Sequence, residues 1–294
     1  MLRKLHLAGA AYFYRARSLS LALGLAPSVL WLAVFYFGSL LALIATAFWR
    51  CQGPVVIKTL SLYNFERLVT QPLWRLILGR TLLYAVLVGL TDALLALPLA
   101  FFLVFVCAPR LRGVLLAFTI APLWANYLLR AYSWKMVLGT SGVLNTFLMN
   151  LGVIGHPVSS LVYSPFSVYI ALVHVWLPFA VLPMVAVLER IPHPLLEASE
   201  DLGARAWQQI RRVILPLAAP GITAGFFYSF SLTMGDFVTP NLLGSGSQFM
   251  GNVIANQFGV NYCPPMGAAL AAPLLLTLVV LIGVVARRGV FEAL

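Results

Sequence analysis

Six apolar stretches, each longer than about twenty residues, decide what this chain can become. They run over 23–49, 79–107, 113–136, 164–188, 217–241 and 266–286, and about 20 helical residues cross a bilayer core. Inside hydrocarbon there is no water to bond the backbone, so spanning segments close their own N–H and C=O groups as helices or as a barrel. None of the runs alternates with a period of two, which removes the barrel. The fold class that follows is all-α and polytopic, with about six transmembrane helices. Composition agrees: 62% of the 294 residues are hydrophobic and 9% charged, against roughly 25% charged in a soluble domain. The third stretch is the weakest, because Arg130 and Lys135 stand in its last turns and its end is expected earlier. Residues 1–22 read as an arm before the first span. That span is too long for a signal-peptide core, so an uncleaved anchor is expected. Residues 1–294 are expected to form one transmembrane domain.

The net charge of +11 does not point to nucleic acid, because the basic residues lie near the ends of the apolar runs, where they set orientation. With the N-terminus inside, Arg3, Lys4, Arg15, Arg17, Arg110, Arg112, Arg190, Arg205, Arg211, Arg212, Arg287 and Arg288 fall in the cytoplasm. Arg50, Lys58, Arg67, Arg75, Arg80, Arg130 and Lys135 fall outside or near the outer face. Both termini are therefore expected to be cytoplasmic, and so is the polar insert 189–216. In that insert Pro194 suits a helix start, and Glu197, Glu200 and Asp201 are expected early in the helix, where its dipole favours negative charge. Gly203 allows a sharp break or a close backbone approach. A second amphipathic segment is expected from Ala204, with Trp207, Ile210 and Ile214 on one face and Pro216 ending it.

The insert reads Glu197-Ala-Ser-Glu-Asp-Leu-Gly203, followed by Val213-Ile-Leu-Pro216. This spacing resembles the cytoplasmic coupling loop of ABC-type importer permeases, whose pattern is Glu-Ala-Ala, three residues, Gly, nine residues, Ile-x-Leu-Pro. Glu197, Ala198, Gly203, Leu215 and Pro216 match it. Ser199 replaces the second Ala and Val213 the Ile, and Ala204 follows the glycine. Pro122 to Trp134, Gly142 to Asn145, Pro220 to Gly225, Met234 to Gly244, Gly251 to Phe258 and Pro265 to Leu270 extend the likeness toward the spermidine/putrescine group of permeases. The Asp-Trp pair usual in that group is replaced by Cys263-Pro264. The resemblance implies the type I importer fold in the cell inner membrane. It also implies a second homologous permease chain, two ATPase subunits that use ATP and Mg, and a periplasmic or extracellular substrate-binding protein. The solute implied is a polyamine or related organic cation. An amino-acid derivative, opine, aminophosphonate or ferric ion is the alternative within the same branch.

Charges inside a membrane are costly and usually functional. Asp92 lies mid-way along the second run and Asp236 toward the outer part of the fifth, where Gly235, Thr239 and Pro240 suggest an interrupted helix. Both acids suit a cationic solute, and each could instead hydrogen-bond a neighbouring helix. Tyr132 and Trp134, beside Arg130, are placed in an outer vestibule or at the interface. His174, inside a span, reads as a helix–helix hydrogen bond. Cys51, Cys107 and Cys263 show no paired spacing. Cys51 and Cys263 both fall outside and could bridge, although free thiols are the expectation. There is no phosphate-binding Gly-x-x-x-x-Gly-Lys-Ser/Thr loop, no catalytic constellation and no cluster of metal ligands. The chain is therefore expected to be no enzyme and to hold no cofactor of its own. A secondary carrier would be longer, with inverted repeats, and would have no use for an ATPase-docking loop.

Overall fold

The computed structural model describes residues 21–53, 55–244, 246 and 248–287; the expected arm, up to residue 20, lies outside them. Helix α1 (Leu21–Ala47) is followed by a hairpin of β1 (Arg50–Gln52) and β2 (Val55–Ile57), then α2 (Tyr63–Thr70) and the long α3 (Pro72–Val106). The third span is α4 (Pro109–Trp124) with α5 (Tyr127–Leu138), and α6 (Val143–Asn150) extends it. Next come α7 (Pro165–Leu188), α8 (His193–Asp201), α9 (Ala206–Gly235), α10 (Val238–Leu243), α11 (Met250–Gly259) and α12 (Pro264–Arg287). Five of these helices are long and apolar enough to cross a membrane, and the bent third span makes six.

α3, α7 and α9 form the central packing unit. Lipid offers no hydrophobic drive between helices, so close approach must supply the attraction, and small residues permit it. Gly221 and Gly225, one turn apart on α9, lie against α7. A Cβ at Gly225 would stand 3.0 Å from the Ala180 carbonyl, and one at Gly221 would stand 3.1 Å from Met184 Cα. The half of this unit nearer α8 buries Ala96, Ala100, Leu103, Ala180, Met184, Leu188 and Ile214 together. At the opposite end Ile77, Met234, Met250, Met266 and Leu270 join α3, α9, α11 and α12. α1 packs against α12 yet leaves its apolar window unburied, a face suited to lipid.

Several expectations change. The third span is bent by 93°, because Pro122 sits in a tight turn over Ala121–Trp124 and Asn126 starts a new helix by accepting the Leu128 amide at 2.9 Å. This is the early end that Arg130 and Lys135 suggested. The fifth span stops at Gly235 rather than 241, and begins at Ala206. Pro216 does not end the segment before it. A π-helical turn over Ile210–Ile214 precedes the proline, and the helix continues through it. Glu200 and Asp201 occupy the last turn of α8, since that helix begins at His193 and carries no acid in its first turn. Trp207 is 67% exposed, whereas Ile214 is buried.

The thiols also differ from expectation. Cys51 and Cys263 form a disulfide with Cα atoms 5.9 Å apart, and Cys107 is free. Spacing could not show this, because 212 residues separate the partners. Antiparallel pairing of β1 with β2 and packing of β1 on α12 bring them together.

Candidate functional site

Two regions carry the residues singled out by the sequence. The first is the break between α9 and α10. Asp236 stands there in extended conformation, 6% exposed. Its Oδ1 accepts the amides of Val238 (2.9 Å) and Thr239 (3.1 Å), which caps the start of α10 as a short side-chain acceptor does. Its Oδ2 accepts the Thr239 hydroxyl at 2.8 Å and the phenol of Tyr127. The two hydroxyls lie 2.8 Å apart, each turned to the carboxylate. Tyr127 is the first residue of α5, so this knot ties the broken third span to the broken fifth.

Beside the knot lies a cavity of about 260 Å³ lined by Tyr127, Trp176, Ser231, Leu232, Gly235, Asp236 and Phe237. The Tyr127 and Trp176 rings stack with centroids 5.4 Å apart. Trp176 Nε1 and Ser231 Oγ are buried without a protein partner. Arg130 donates to the Val175 carbonyl at 3.2 Å and holds its guanidinium 5.8 Å from the Tyr127 ring centroid. The sequence pointed to Asp236 and Thr239. It offered nothing for Tyr127, Trp176 or Ser231, which become neighbours only through the two helix breaks.

The other expected path residues lie apart from this knot. Asp92 is fully buried on α3, and neither carboxylate oxygen has a hydrogen-bond partner. Ser229 of α9 faces it without closing a bond. Its neighbour Thr91 bonds the Tyr169 hydroxyl on α7 at 2.5 Å. Tyr132 lines a separate cavity of about 480 Å³ with Lys135, Met136, Ser141, Ser159 and Tyr163. Trp134 donates its indole N–H to His174 Nδ1 at 3.1 Å, the inter-helix bond expected of that histidine.

The second region is the insert. α8 ends in two reverse hydrogen bonds, Gly203 N–H to the Glu200 carbonyl (2.8 Å) and Ala204 N–H to the Ser199 carbonyl (3.0 Å). Gly203 has φ +79°. This is the glycine-terminated C-cap in which only a residue without Cβ sits comfortably in the left-handed region. Gln209, one turn into α9, reaches back to the Leu196 carbonyl and the Ser199 hydroxyl, both at 2.9 Å. α8 and the start of α9 are thereby stapled into a rigid bracket. Glu197, Ala198, Leu215 and Pro216 are exposed on it, as are Leu202 (89%) and Trp207. Arg112 and Glu189 form an ion pair between the α4 start and the α7 end.

An apolar bundle with a rigid charged bracket at one end and two broken helices has the form of a transport subunit. A family model described as "Binding-protein-dependent transport system inner membrane component" matches residues 76–290. The chain belongs to this family. Among curated relatives the permease is 36% identical to the "Inner membrane ABC transporter permease protein YdcU" of Escherichia coli (strain K12), over 96% of this chain and 94% of that one. It is 39% identical to the "Spermidine/putrescine transport system permease protein PotB" of the same strain, over 81% of this chain and 86% of that one. A solved bacterial alginate ABC transporter matches it with TM-score 0.75 at 16% identity, covering 93% of this chain and 95% of that chain, a likeness of fold alone. The permease is thus an inner-membrane transport subunit of an ABC importer, and its relatives are permeases rather than enzymes.

Proposed function

We propose that this permease forms half of the translocation path of a polyamine importer. The observation that carries the reading is 39% identity to permeases named for spermidine and putrescine transport. A buried carboxylate in an aromatic-walled cavity at a helix break suits such a cargo. Asp236, Thr239, Tyr132 and Trp134 are the path residues of this reading, and Asp92, sealed between α3 and α9 without a hydrogen-bond partner, is left off the path. A second homologous permease completes the pore, a soluble binding protein delivers the solute, and two ATPase subunits supply the work with ATP and Mg.

The bracket of Glu197, Ala198, Ser199, Gly203 and Ala204, continued to Leu215 and Pro216, docks on the ATPase. Its rigidity supports this role, because a bracket held by the Gln209 staple and the α8 C-cap can pass a push to α9 without absorbing it. Orientation has support independent of the basic residues. The Cys51–Cys263 disulfide needs an oxidising compartment, which supports a periplasmic location for that end and a cytoplasmic one for the bracket and both termini.

Uptake of labelled spermidine, putrescine and an aminophosphonate is measured in cells lacking other polyamine importers and carrying the whole system. Polyamine accumulation that depends on this chain is the expected result. Phosphonate uptake in its place would transfer the permease to the alternative cargo.

A further inference from the structure

We propose that the cavity at the broken end of α9 is a subsite for a single primary ammonium group. In this subsite Asp236 supplies charge and shape, while direct contact falls to Trp176, Phe237, Ser231 and the free end of the helix. The proposal deepens the organic-cation reading above and rests on it.

The first observation concerns acceptor capacity. A carboxylate has about four lone-pair positions, and all four of Asp236 are filled by the Val238 and Thr239 amides and the Tyr127 and Thr239 hydroxyls. Every one of those donors is neutral, so the negative charge remains while the hydrogen-bonding capacity is spent. An incoming ammonium is drawn by the field and must find its hydrogen bonds elsewhere.

The cavity supplies them. Its wall includes Ser231, Leu232 and Gly235, the last turn of α9, where carbonyls lose their i+4 donors and the helix dipole is negative. Broken membrane helices bind cations at such ends. The Asp236 amide turns back to the Thr233 carbonyl at 3.2 Å, which leaves the Leu232 carbonyl without the partner that a continued helix would give it. Ser231 Oγ, buried and unpartnered, adds an acceptor. The rings of Trp176 and Phe237 supply faces that attract a cation. Trp176 Nε1, equally buried and unpartnered, donates only and so is no ligand for a cation. Tyr127 is a wall rather than a contact, since Trp176 stacks on it and the Arg130 guanidinium lies near its ring. That guanidinium also repels a second positive group, so the site takes one end of a diamine and leaves the other to the partner permease.

The test uses the assembled complex of both permeases and both ATPases, purified without its binding protein. Calorimetric titration with putrescine is set beside titration with the diol of the same chain length. Putrescine is expected to bind and the diol not. Trp176→Leu is expected to weaken putrescine about ten-fold, and Trp176→Phe, which keeps a ring face, much less. Asp236→Asn, which keeps the Oδ1 cap and removes the charge, is also expected to cost about ten-fold. Should Trp176→Leu fail to assemble, Phe237→Leu and Ser231→Ala carry the comparison, with a several-fold loss expected of each. Equal binding of diol and diamine, no binding by the unaltered complex, or unchanged binding across the assembled variants would overturn the subsite. Uptake in cells separates the two readings. Diamine binding at this cavity without polyamine uptake would sink the proposed function and leave the subsite standing. Polyamine uptake with unaltered binding in the variants would do the reverse.

Discussion

At the scale of single residues, the two buried carboxylates show how much surroundings decide. Asp236 receives four donors and anchors α10, whereas Asp92 has none and is sealed between α3 and α9. An ionised, unpaired carboxylate at that depth costs several kcal/mol. The isosteric amide removes the charge and keeps the volume, so Asp92→Asn is expected to assemble with unchanged or higher thermal stability and with normal uptake. Scanning fluorimetry of the purified complex and an uptake assay check this together. Normal assembly with lost uptake would instead put Asp92 on the solute's route. Gly251 illustrates the opposite pressure. A Cβ there would stand 2.5 Å from the Asp236 carbonyl, so the start of α11 can approach the broken end of α9 only as glycine.

At the scale of elements, the bracket separates a residue's local task from its role in docking. Gly203 looked in sequence like a point of close contact, yet nothing among the described residues lies within 4 Å of where its Cβ would be. Its local requirement is the left-handed φ of the α8 C-cap. Gly203→Ala is therefore expected to cost about 1 kcal/mol and to leave transport close to normal. Gly203→Asp adds a charged group on the open side of the bracket, and Glu197→Lys reverses an exposed charge on the same helix. Both are expected to leave the permease inserted while abolishing binding-protein-stimulated ATP hydrolysis. Wild-type hydrolysis and uptake in either charged variant would refute ATPase docking at this bracket. The helix breaks were partly legible for the same local reasons. Gly235 and Pro240 flagged the fifth span, and Arg130 with Lys135 flagged the third. The continuity of α9 through Pro216 was not legible, because proline ordinarily stops a helix and here follows a π-helical turn that the apolar pattern does not encode.

At the scale of the molecule, spans, class and bracket could be read from apolar length, charge placement and one spaced motif, all of them local in the chain. The cavity and the disulfide could not, since Tyr127 meets Asp236 across 109 residues and Cys51 meets Cys263 across 212. Such long-range neighbours depend on how α5 meets the broken end of α9 and how β1 packs on α12, and many apolar sequences satisfy the same spans. The three cysteines nevertheless provide a native test of the whole topology. Cys51 and Cys263 are bonded at the end expected in the periplasm, whereas Cys107, partly exposed where α3 passes to α4, lies at the bracket end. In spheroplasts a membrane-impermeant maleimide is expected to label nothing at first, and to label Cys51 and Cys263 after an impermeant reductant. Cys107 should react only once the membrane is opened. The bond closes a loop of more than two hundred residues, so Cys51→Ser is expected to lose about 2–4 kcal/mol of stability and to lower the thermal midpoint of the complex. Labelling of Cys107 from outside would invert the permease and remove the cytoplasmic placement of the bracket. Failure of the reductant to expose new thiols would instead locate the error at the hairpin and leave the orientation of the spans to the basic residues alone.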